Sequence, residues 1–220
     1  MLPKYVEEFN KVRSEIQDLS KTIIEAYRLE LDGFKERDTS KLDTAKKMLK
    51  GIDERANGID NTIIKVFALF EPEAALLREL AALFKTTNEL TRIASTGKKY
   101  AVSMKIHIEE EVNFSDIESY LIHIHEAAIG AVEFAVRLQD DPDRYEEDYR
   151  QTMLEESKTD DLYAILEKEI LSKVCQGEDV TLNYINILNL ARKFERVADH
   201  AANIAKLYLY AKKGGSMEIY

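Results

Sequence analysis

Tryptophan is absent from this 220-residue chain, cysteine occurs once, proline three times and glycine eight times. Few prolines and glycines leave few places for a chain to turn, which suits long helices joined by a handful of short connections. The lone Cys175 excludes an internal disulfide and suits a reducing compartment. As one small residue near a helix end it is better read as packing than as a nucleophile. No run of twenty apolar residues occurs, and Met1–Phe9 (MLPKYVEEF) lacks the apolar centre of a signal peptide. A cytoplasmic protein is expected, neither exported nor membrane-spanning. Lys/Arg-rich blocks are also missing, and the net charge is −10, which argues against nucleic acid as a partner. There is no P-loop, no glycine-rich phosphate cradle and no nucleophile elbow, so none of these catalytic sets is present.

What is present is apolar periodicity. Val12, Ile16, Leu19, Ile23, Ala26 and Leu29 form the stripe of a first helix over about Lys4–Arg37. Asp38-Thr39-Ser40 reads as a turn with an N-cap. A second helix follows to about Phe70, with Leu42, Ala45, Leu49, Ile52, Ala56, Ile59, Ile63, Val66 and Phe70 facing inward. Glu71-Pro72-Glu73 breaks it, because proline lacks the N–H that a continuing helix needs. A third helix reaches about Ile108, and Glu109–Asn113 is a polar joint. Ser115 and Glu118 stand at capping-box spacing to open a fourth helix ending near Gln139. Asp141-Pro142 suits the start of a fifth, which ends near Cys175 before Gln176–Val180. The sixth begins near Thr181, carries Ile187, Leu190, Phe194, Val197, Ala201, Ile204 and Tyr208 on one seam, and ends before Gly214-Gly215.

The sequence therefore predicts an all-α protein of six long helices. Their order repeats as long helix, long helix, sharp break, long helix, which suits two tandem antiparallel three-helix bundles over 1–110 and 111–215, with a loose tail at 216–220. A continuous six-helix array satisfies the same periodicity.

Acidic pairs mark the second half. Glu195 and Asp199 are four apart in FERVAD, and like charges at that spacing cost an isolated helix a few tenths of a kcal/mol. Arg192 and Arg196, each three residues from one of them, could offset that cost, and so could a bound cation. Glu156 and Asp160 form a second four-spaced pair on the fifth helix. About a turn centred near residue 178, Asp160 lies 18 before and Glu195 17 after, while Glu156 lies 22 before and Asp199 21 after. An antiparallel hairpin would bring all four carboxylates to one patch, a donor set for a hard multivalent cation. The same residues also read as solvated surface. His200 points about 100° away from Asp199 and reads as surface. His123 and His125 cannot share a helix face, and His107 stands alone.

With ARKFERVADHAANIAKL in its last helix, the chain resembles the PhoU family of phosphate-uptake regulators. The matching residues are Glu195, Arg196, Asp199, Asn203 and Ile204. A weaker echo lies in EPEAALLREL, with Pro72, Ala74, Leu77 and Arg78, followed by LTRIASTGKKYA. The resemblance implies two three-helix bundles in which Thr91 corresponds to Glu195, Ser95 to Asp199, and Asp53 and Asn57 to Glu156 and Asp160, at offsets of 103 or 104 residues. It also implies an iron or zinc cluster, carried over only to Glu156, Asp160, Glu195 and Asp199. The first bundle keeps only Asp53 and is expected to bind metal weakly or not at all.

The function implied is that of a non-enzymatic adaptor. It would connect the ATPase subunit of the phosphate ABC transporter to a phosphate-sensing histidine kinase and repress the starvation response when phosphate is plentiful. A homodimer is implied as well, with membrane contact only through partners. From the residues alone, an iron-storing or oxygen-activating carboxylate bundle is the alternative; the absence of Glu-x-x-His spacing argues against it. A purely structural helical scaffold is the third reading.

Overall fold

The computed structural model describes residues 3–113, 115–139, 143–175 and 182–214. Among them are seven α-helices and no strand: α1 (Pro3–Glu36), α2 (Thr39–Met48), α3 (Ile52–Phe70), α4 (Ala74–Glu109), α5 (Glu118–Arg137), α6 (Tyr145–Cys175) and α7 (Leu182–Lys213). The stripe residues of the first helix are buried apart from half-buried Leu29, and all seven seam residues of α7 are buried.

Asp38 caps α2, its Oδ1 accepting the Ser40 N–H at 2.9 Å. The expected second helix divides at Gly51, whose φ of 84° lies in the left-handed region that glycine tolerates. Leu49 and Ile52 are both fully buried on either side, so the apolar phase runs through the break unaltered. Glu71 at φ 42° and Pro72 end α3. The capping box from Ser115 does not form. Its hydroxyl donates to Asp116 Oδ1 at 3.3 Å, and α5 starts at Glu118 behind a buried Ile117. Asp141-Pro142, Gln176–Val180 and the tail 216–220 lie outside the described residues.

Helix α1, the α2–α3 arm and α4 pack on one another as one bundle, and α5, α6 and α7 as a second. The bundles join face to face: α4 lies on α7, and α1 on α5. The α4–α7 contact is antiparallel. Arg78 lies beside Gly214, Glu89 pairs with His200, and Tyr100 packs on Phe194. These helices are the last of each repeat, so their antiparallel packing is what a near two-fold axis between repeats produces. The register puts Ala94 opposite Ala198, two buried small residues that let the helices approach closely.

Helix α1 runs antiparallel to α5 as well, tied by Arg28–Glu133 at 2.6 Å, Lys35–Glu126 at 2.8 Å and Arg37–Glu118 at 3.7 Å. Such half-exposed pairs set register more than stability, each contributing about 0–1 kcal/mol. One apolar core runs continuously through both bundles. No helix among the described residues is long and apolar enough to cross a membrane.

Candidate functional site

Helices α6 and α7 form the antiparallel hairpin that the spacing implied. Arg192 lies over the Tyr163 ring, 5.1 Å from its centroid, and Asp160 and Glu195 lie one turn along their helices from this pair. The four carboxylates come together on this seam. Burial raises the Glu156 carboxyl above its ordinary range, and the negative charges of Asp160 and Asp199 raise it further. Asp160 is lifted by burial and then by Asp199 and Asp161. Glu195 is lifted by burial, held back by Arg192, and pushed up again by Asp199 and Asp160. Asp199 thus stands within Coulombic reach of the other three. Each raised carboxyl costs the fold stability as pH climbs through its titration, because the unfolded chain ionises more readily.

Part of the repulsion is met within α7. Arg192 Nε lies 2.9 Å from Glu195 Oε2, a close ion pair whose geometry is not that of an aligned hydrogen bond. An all-oxygen set of this kind fits a hard multivalent cation in its chemistry. Among the described residues, however, no three His, Cys, Asp or Glu side chains converge as they stand to ligate one ion.

The corresponding positions of the first bundle are quieter. Asp53 is exposed and paired with Lys98 at 3.2 Å, while Asn57, Thr91 and Ser95 carry no charge. His200, read from the sequence as surface, is half-buried, its Nδ1 2.6 Å from Oε2 of the buried Glu89 on α4. His123 is exposed and His125 buried, as two-residue spacing requires. Cys175 is exposed and free.

Sequence reasoning missed the polar groups at the junction of the bundles. Glu30 on α1 is fully buried, and neither carboxylate oxygen has a hydrogen-bond partner. Burial raises its pKa well above the ordinary value. Gly97 makes room for it: a Cβ there would stand 3.2 Å from Glu30 Oε1 and 2.9 Å from the Tyr27 ring. His125 is equally buried, stacked on Phe194 at 4.0 Å and edge-on to Tyr100 at 5.2 Å, and burial pushes its pKa down to about 3. A signal existed for both. Glu30 follows Ile23, Ala26 and Tyr27 on the apolar stripe of α1, and His125 lies between Leu121 and Ala128 on that of α5.

Two like three-helix units, joined back to back, with a carboxylate seam on the second alone, define a duplicated helical-bundle protein with one acidic face. Residues 16–104 and 121–208 each match the PhoU domain. The chain belongs to the PhoU family. A phosphate-specific transport system accessory protein PhoU homolog from Borreliella burgdorferi is 25% identical over 225 residues, covering 98% of each chain. The Escherichia coli accessory protein PhoU is 25% identical over 178 residues, covering 78% of this chain and 71% of its own. The crystal structure of PhoU from Pseudomonas aeruginosa has the same fold, with a TM-score of 0.87 at 20% identity over 96% of this chain and 100% of that one.

Proposed function

We propose that this chain is a non-enzymatic regulator of phosphate uptake. It acts as a cytoplasmic adaptor between the ATPase subunit of the phosphate ABC transporter and a phosphate-sensing histidine kinase, holding the starvation response down when phosphate is plentiful. The observation that carries this reading is the PhoU domain repeated along most of the chain, in a protein whose relatives are named accessory proteins of phosphate-specific transport systems. Deleting the gene should derepress phosphate-starvation genes in phosphate-rich medium, and the intact gene supplied in trans should restore repression. Repression that persists in the deletion strain would overturn the reading.

The α6–α7 seam is the working face in this proposal, and its occupant is a cation. Glu156, Asp160, Glu195 and Asp199 would hold iron or zinc, and a bound ion would supply open coordination sites for an oxyanion that the bare acidic face repels. Before an ion arrives, Arg192 partly neutralises Glu195. Metal content measured by mass spectrometry, on protein purified without chelator or histidine tag, tests this assignment. Iron or zinc should exceed one equivalent in the wild type and be lost in the Glu195→Gln/Asp199→Asn variant. A wild type without metal, or equal metal in both proteins, refutes the metal assignment and makes the seam a face for partner arginines.

A further inference from the structure

A second polar site lies away from the acidic seam, where the end of α4 meets the start of α7. A groove of about 460 Å³ opens there, within the size range of small-molecule sites. From α7 it is lined by Asn183, Asn186, Asn189 and Lys193, and from α4 by Ser103 and His107. Three carboxamides, a hydroxyl, an imidazole and an ammonium make this wall rich in hydrogen-bond donors. Glu110, exposed at the rim, is the acidic residue of the lining.

The charges at the groove are arranged against one another. Lys193 is half-buried, and neither it nor Lys99 has an acidic partner among the described residues. The Lys99 ammonium stands within Coulombic reach of Lys193, and Lys193 and Glu110 both stand within Coulombic reach of His107. In a chain of net charge −10, a donor-lined groove with two mutually repelling lysines is a local reversal of sign. An anion seated there would relieve the repulsion and meet charge-assisted donors.

We propose that this groove binds a small oxyanion of the phosphate class. Lys193 supplies the charged contact, Asn186 and Asn189 supply carboxamide donors, and Lys99 adds its field from beside the groove. Both inorganic phosphate and a small phosphate monoester have the required chemistry, and the volume admits either. The inference stands on the groove and not on the regulatory reading: a chain with no part in phosphate uptake would still bind the anion.

The test is a titration of the full chain followed by NMR of its histidine ring signals, of which there are only four to resolve. Inorganic phosphate, sulfate and glycerol phosphate are added separately at constant ionic strength near pH 7. Saturable shifts of the His107 ring are expected, with the ring pKa rising when the anion is bound. Lys193→Gln should weaken binding about tenfold or more, the loss of one charge-assisted contact. Asn189→Asp, which places a carboxylate against the anion, should abolish it. Lys65→Gln, which removes one exposed positive charge on α3 away from the groove, should bind as the wild type does. Saturation by the monoester alone supports the site and assigns the organic source; saturation by inorganic phosphate as well assigns the free ion. Shifts that fail to saturate with all three anions overturn the proposal. So does unchanged affinity in both folded groove variants.

Discussion

Glu30→Gln should make the protein more stable at pH 8, although it removes an ionisable group from the core. The carboxyl is fully buried without a hydrogen-bond partner, and burial holds it protonated well above the ordinary pH. In the unfolded chain it ionises near its ordinary value of 4.5. Above that pH the folded state binds one proton more than the unfolded state, so stability falls as pH rises. The loss is about 1.4 kcal/mol for each unit over which the folded carboxyl stays neutral. Glutamine keeps the volume and has no charge to desolvate. In urea unfolding it should be flatter than the wild type between pH 6.5 and pH 8, and ahead of it at the upper end. A variant that is weaker at pH 8 would mean that the buried carboxylate is ionised and held by a partner.

His125 supplies the opposite slope. Its imidazole, with a pKa of about 3, stays neutral in the fold while the unfolded ring takes a proton near 6.5. Stability is lost as pH falls below 6.5, again by about 1.4 kcal/mol per unit until the folded pKa is reached. Between the two onsets the slopes oppose each other, so these two groups together leave a plateau near pH 4.5–6.5 with losses on both sides.

Phe194→Ala should cost about 3–5 kcal/mol and lower the melting temperature by roughly 10 °C. The ring is 1% exposed and touches three helices besides its own: His125 at 4.0 Å, Tyr100 at 4.6 Å and Tyr27 at 6.3 Å between ring centroids. Removing it opens a cavity where the bundles join, so its partners on α1, α4 and α5 all lose contacts. Ile63→Ala, fully buried on α3 within the first bundle, is the control. Both variants should lose stability, but only Phe194→Ala should bring the His125 ring toward its ordinary pKa, by admitting water to a neighbour that it now covers. An unchanged His125 titration in a folded Phe194→Ala protein would separate the two residues energetically.

The helices were legible because apolar residues kept a period of three and four, and because Pro72 marks the break before α4. The α6–α7 register was legible too, since equal distances from one turn fix which residues face each other in an antiparallel hairpin. Gly51 escaped because its break preserves the apolar phase: Leu49 and Ile52 stay buried across it. Ser115 misled because a capping box is a local pattern, and the buried Ile117 beyond it sets where α5 starts. His200 could not be placed from its own helix. Its burial depends on α4 lying along α7, a long-range pairing that periodicity does not encode. The acidic residues were found by their spacing; the mutual repulsion that raises three of them required the fold.

The near two-fold relation of the repeats has a bearing on valence. A chain made of two equivalent halves could offer the same recognition surface twice, facing in opposite directions, and so cross-link whatever binds it. Here one half presents Glu156, Asp160, Glu195 and Asp199, while the matching half presents a carboxylate engaged by Lys98 and three neutral side chains. If the acidic seam is the working face proposed above, the chain carries that face once. A partner reading the acidic face meets one landing place per chain, so bridging two such partners requires two chains rather than two ends of one.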